Sequence, residues 1–228
     1  MFKKLAIAAC LSLGAVGAQA SVILIGPVEE QGTGIGGEFT LLNIQSPANT
    51  TTEFGSVSWN GTTNVVNGSQ IPGGTNNQTW TFAAAGINQA SDLRVVLNIN
   101  EPGNDREILL TSLVFNVYGA TGNVVWTGSL AAPVTLTGTQ SGVGSAGYAF
   151  GLDTPQAAAL AAVFNTNLRF GISSSISNAS GGFETFFLAN AASLTPGEGP
   201  EGKVPEPATL GLLGLGLVGL AMVRRRKS

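Results

Sequence analysis

Leu113-Val114-Phe115-Asn116-Val117-Tyr118, followed by Ala120-Thr121-Gly122-Asn123 and then by Val124 to Leu130, is the stretch that decides the fold class. Successive side chains of a strand point to opposite faces, so residues 113, 115 and 117 line one face of the first run. Ala120 to Asn123 supplies turn-forming residue types between two β-branched and aromatic runs, which reads as the closure of a hairpin. One face of that hairpin is apolar and needs a core to cover it.

The same pattern extends outward in both directions. Candidate strands lie at residues 22–25, 38–44, 55–59, 78–84, 93–99, 107–110, 113–118, 124–130, 134–137, 146–152, 168–174 and 183–188, joined by segments rich in Gly, Ser, Thr and Asn. Short strands punctuated by turn residues predict an all-β domain over residues 21–195, a β-sandwich or jelly-roll-like arrangement. One segment departs from it. Asp153-Thr154-Pro155-Gln156, with the alanine-rich run to Phe164, predicts a single short helix. Asp153 or Thr154 can accept the free amides, Pro155 suits the first turn, and alanine is the best helix former. Leu160, Val163 and Phe164 share a face and are expected to pack on a sheet.

The two ends follow a different logic. Lys3-Lys4 precede an apolar stretch from Leu5 to Gly17, and Ala18-Gln19-Ala20 has the small residues of a signal-peptide cleavage site. Residues 1–20 therefore read as a signal peptide cut after Ala20, which makes the Sec translocon and signal peptidase expected partners. At the other end, residues 196–203 form a Gly/Pro/Glu linker. Then come Val204-Pro205-Glu206-Pro207, an uncharged Gly/Leu-rich run of 16 residues from Ala208 to Val223, and Arg224-Arg225-Arg226-Lys227. At about 1.5 Å per residue the run spans roughly 24 Å, short of a hydrocarbon core of about 30 Å. A single transmembrane helix over residues 208–223 is the expectation, with the basic end held in the cytoplasm. Pro205 and Pro207 disfavour helix and keep the segment before the span extended.

This tripartite tail, residues 204–228, resembles the PEP-CTERM sorting signal of Gram-negative bacteria that make exopolysaccharide. The resemblance implies recognition and cleavage at Val204, Pro205, Glu206 and Pro207 by a membrane exosortase, with Arg224 to Lys227 fixing orientation. It also implies an inner-membrane-anchored precursor that ends at the cell surface or in the extracellular matrix, in an exopolysaccharide or biofilm setting. The resemblance stops at the tail and leaves the body unassigned.

Composition narrows what the body can do. The chain has no histidine, and its one cysteine, Cys10, lies within the signal peptide. The mature chain then cannot form a disulfide, and zinc, haem and iron–sulfur sites lose their usual ligands. Ser-His-Asp and Cys-His nucleophile systems are excluded for the same reason. Between Ser21 and Lys203 there are four basic and twelve acidic residues, a net charge of −8. Nucleic acid is a poor partner for such a body; a neutral polysaccharide or calcium is compatible with it.

The densest polar stretch runs from Asn98 to Glu107. Glu101, Asn104 and Asp105 are candidate calcium ligands around a Pro-Gly turn, although their spacing does not match an EF-hand loop. The plainer reading, and the preferred one, is a solvated hairpin tip. Asp153 is expected as a helix cap, and Arg169 as the partner of Glu184. Trp59, Trp80 and Trp126 could stack on sugars, but each sits in a strand pattern where core packing is the favoured role. Two carboxylates suffice for glycoside hydrolysis, yet no spacing marks a pair. The expectation is a non-enzymatic interaction module without a cofactor; a calcium-dependent carbohydrate-binding module is the alternative, and a polysaccharide-active enzyme ranks third.

Overall fold

The computed structural model describes residues 21–30, 39–47, 49–69, 77–101, 107–138, 146–180 and 182–196. The expected signal peptide, the linker beyond Pro196, the sorting tail with its span, and Asn104 and Asp105 lie outside the described residues. No helix among the described residues is long and apolar enough to cross a membrane.

The body is β-rich, as the alternation requires. In chain order the strands are β1 (Ser21–Glu30), β2 (Thr40–Gln45), β3 (Thr52–Trp59), β4 (Asn64–Gly68), β5 (Trp80–Thr81), β6 (Leu93–Asn98) and β7 (Glu107–Tyr118). They continue as β8 (Val124–Leu130), β9 (Val134–Thr137), β10 (Ala146–Leu152), β11 (Arg169–Ser177), β12 (Phe183–Asn190) and β13 (Leu194–Pro196), with one helix, α1 (Thr154–Ala161), after β10. They do not part into two separate sheets. One hydrogen-bonded path runs β2-β12-β6-β10-β1-β8-β7-β11-β3-β4, with β13, β5 and β9 attached to β1, β11 and β7. The described pairings are antiparallel except β1 with β8.

The path curls until its ends meet. The Gln45 amide at the end of β2 donates to the Ser69 carbonyl just past β4 at 3.0 Å. A Cβ placed on Gly55 of β3 would lie 2.6 Å from Ile44 Cγ2 and 3.3 Å from Leu42 Cδ1. Glycine at this point lets the β2 side chains seat directly on the β3 backbone, so the sheet nearly closes around the main core, while a smaller cluster of Val28, Val96, Ala149, Phe187 and Ala189 packs apart from it.

The main core is filled by the inward rows. Phe82, Phe115, Phe150, Phe170 and Phe186 are fully buried, and Phe115 meets Phe170 edge-on at 5.2 Å. β7 joins what the sequence pattern divides into two strands. Its inward residues switch from Leu113, Phe115 and Val117 to Leu110 and Ile108 because Thr111 is an extra residue opposite the Ser175–Ile176 step of β11. A bulge of this kind shifts the alternation by one without ending the strand. The β7–β8 hairpin closes where expected: the Gly119 amide donates to the Asn123 carbonyl at 2.9 Å, and Gly122 takes a positive φ of 85°, which glycine adopts without penalty.

α1 begins as the sequence implies. Asp153 Oδ1 accepts from the Gln156 amide at 2.8 Å, and Pro155 occupies the first turn. Leu160 is fully buried, and Phe164 stacks on Phe82 at 4.9 Å between ring centroids. Val163 does not join them: it is 43% exposed. The helix stops at Ala161 and residues 162–163 lie in a turn, so the 3.6-residue spacing that put Val163 on the packing face no longer holds there.

Candidate metal centre and sorting signal

Three inward-facing rows end in a glutamate at the same end of the core. On β3 the row is Val57, Gly55, Glu53. On β12 it is Leu188, Phe186, Glu184. From β6 it runs Val95, Leu97, Ile99 and reaches Glu101 beyond the strand end. Alternation along each strand forces these acids inward, where their apolar row-mates fill the core. Glu53 and Glu184 are 0% exposed and Glu101 is 3% exposed. One carboxylate oxygen from each lies within 4.8 Å of the others.

Only part of this cluster is hydrogen-bonded. Glu53 Oε1 accepts from the Ser46 amide at 2.7 Å and from its hydroxyl at 3.0 Å. Glu101 Oε2 accepts from the Ser180 amide at 2.8 Å and from the Ser180 hydroxyl. Glu53 Oε2, Glu101 Oε1 and both oxygens of Glu184 have no donor. Neither described arginine reaches them. Arg169 donates to the Thr79 carbonyl and lies 4.1 Å over the Trp59 ring, and Arg94 donates to the carbonyls of Ser91 and Leu93.

An ionised carboxylate in such surroundings must find a counter-charge or take up a proton. Burial pushes the Glu184 carboxyl up to about 11, and the neighbouring Glu53 and Glu101 reinforce the shift. A protonated Glu184 can donate to either neighbour, so the unpartnered oxygens are those of the ionised cluster. The chemistry open to the site is therefore proton sharing or capture of a hard, oxygen-seeking cation. It is closed to a polysaccharide chain, because the three carboxyls lie within the core rather than in a cleft.

Arg169 does not pair with Glu184, since its place on β11 turns it toward β5 and Trp59, away from the acid end of the core. Glu101 does not belong to a solvated hairpin tip: its carboxylate is buried, and it is grouped with Glu53 and Glu184. Its suggested co-ligands Asn104 and Asp105 lie outside the described residues. Glu53 is the residue sequence reasoning passed over. The available signal was a glutamate extending the inward side of an alternating strand, three times over.

The tryptophans divide. Trp126 is buried in the core. Trp80 is half-buried, donates from Nε1 to the Thr40 carbonyl at 2.8 Å and meets Phe39 edge-on. Trp59 is half-buried beneath Arg169, and its Nε1 donates to the Ala120 carbonyl at 3.3 Å. They do not form one exposed aromatic face.

Function is further constrained by the tail. The family model for the PEP-CTERM protein-sorting motif matches residues 203–227. The chain ends in a PEP-CTERM sorting signal. The match covers Val204-Pro205-Glu206-Pro207, the apolar run and the basic end. A PEP-CTERM signal marks an exported, membrane-anchored precursor that an exosortase processes. Neither curated proteins nor solved structures match the chain, so the motif identifies the route and not the activity of the β domain.

Proposed function

We propose that this chain is an exosortase-processed surface or extracellular-matrix protein whose β domain is a non-enzymatic interaction module for exopolysaccharide in a biofilm. The observation that carries the reading is the sorting motif at residues 203–227, joined to a β-rich body. The signal peptide proposed for residues 1–20 opens the export route, and the span proposed for residues 208–223 holds the precursor until Val204 to Pro207 is cut. What supports a non-enzymatic role is composition. A mature chain without histidine or cysteine lacks the common nucleophile and base pairs, and among the described residues the three clustered acids are enclosed in the core. The acidic body suits a neutral polymer better than a polyanion.

The test is co-sedimentation of the exported protein with the producer's own exopolysaccharide, with released sugar measured in the same tubes. Retention on the polymer without turnover is expected. Failure to bind would reject the interaction module, and steady release of oligosaccharides would replace it with an enzyme.

A further inference from the structure

We infer that Glu53, Glu101 and Glu184 form a structural calcium site that pins the two ends of the curled sheet together. The inference rests on the core and does not depend on the tail.

Acidic residues close together are common without a metal, so the cluster alone would carry nothing. The second observation is the state of Glu184. Its side chain is fully buried, it points among the other two carboxylates, and neither of its oxygens has a donor. Glu53 and Glu101 each turn one oxygen outward to a serine, Ser46 or Ser180, and leave the other unpartnered. In the ionised cluster four oxygens thus face one another with no amide or hydroxyl donor between them, an arrangement that a cation relieves.

The geometry fits calcium. Its oxygen ligands stand at about 2.3–2.6 Å, so two ligands on opposite sides of the ion are separated by up to roughly 5 Å. The three carboxylates, with one oxygen each inside a mutual 4.8 Å, can be gathered on one ion without moving a strand. The four unpartnered oxygens supply most of the roughly six that calcium takes at the lower end of its coordination number. Magnesium retains its water shell and demands a strict octahedron, so a buried cluster of carboxylates favours calcium. Two positive charges also offset most of the negative charge buried there.

Position gives the site its consequence. Glu184 belongs to β12, next to β2 at one end of the strand path, and Glu53 belongs to β3 near the other end. Glu101 enters from the segment after β6. The ligand set therefore exists only once the sheet has curled, and the free energy of binding becomes free energy of folding.

The experiment uses the full exported protein purified in detergent, stripped with chelator and titrated with calcium chloride. Native mass spectrometry is expected to show one calcium per chain, and calorimetry a Kd below about 100 µM. At calcium about 100-fold above Kd, the Tm should rise by about 5–10 °C. Glu184→Gln keeps the side-chain volume and removes a ligand charge. It should fold in chelator and lose at least about tenfold in affinity, with the Tm rise reduced accordingly. Glu53→Gln and Glu101→Gln should do the same and stand in if Glu184→Gln does not fold. An unchanged Tm and no binding heat in the wild-type protein would overturn the inference. So would an equal calcium response in wild type and the folded variants, which would place the ion elsewhere on the acidic surface.

Discussion

The Ser21 backbone nitrogen lies 2.6 Å from Asp153 Oδ2, while the other oxygen of the same carboxylate caps α1 at Gln156. One acid thus ties the first residue after the proposed signal-peptide cut to the start of the helix. Cleavage after Ala20 would turn the Ser21 amide into an ammonium at that position, and the hydrogen bond into an ion pair.

Asp153→Ala should therefore cost the mature protein about 1–2 kcal/mol, the usual loss of an N-cap, and more than the same change costs a protein that keeps Ala20. The pair of denaturant titrations checks it. Equal losses with and without Ala20 would show that the ammonium contributes nothing.

Helix packing gives a contrast. Leu160→Ala removes a fully buried side chain and should cost about 2–5 kcal/mol. Val163→Ala, at an exposed turn position, should stay within about 0.5 kcal/mol. Comparable losses at both positions in urea unfolding would restore Val163 to the packing face.

Closure of the sheet can be probed at Gly55. An added methyl there meets Ile44 Cγ2 at 2.6 Å, so Gly55→Ala should destabilise by about 1–3 kcal/mol through overpacking. A neutral result in thermal unfolding would mean that β2 and β3 are not in firm contact.

Burial of Glu184 sets a pH dependence in calcium-free protein. Its carboxyl is raised from 4.5 to about 11, so between those values the folded form holds a proton that the unfolded form releases. Stability is then greatest below the unfolded value and falls as pH rises through this window, by at most about 1.4 kcal/mol per pH unit for one proton. Glu184→Gln should flatten that part of the profile. A profile unchanged by the substitution would show that Glu184 is already charged in the native state.

Local signals were legible in the sequence. The hairpin around Gly122 follows from alternation and turn residues, and the Asp153 cap from the residues of the first turn. Long-range placement was not. β4 is five residues of Asn, Val and Gly at the end of the path, with too little apolar pattern to be seen. The Thr111 bulge made one long strand look like two. Closure of the sheet depends on Gly55 accepting Ile44, a contact that no local pattern encodes. The glutamates come from β3, β12 and the segment after β6, far apart in the chain, and their convergence is a property of the curled sheet. The tail was legible because a sorting signal is linear: a motif, an apolar run and a basic stop, read in order by its processing machinery.

Export and processing of this chain can be read from the intact mass of the protein isolated from its host, with and without exosortase. The chain should start at Ser21 in both strains, and should lose the tail at Val204 to Pro207 and leave the membrane only when exosortase is present. A full-length tail held in the membrane in both strains would contradict it.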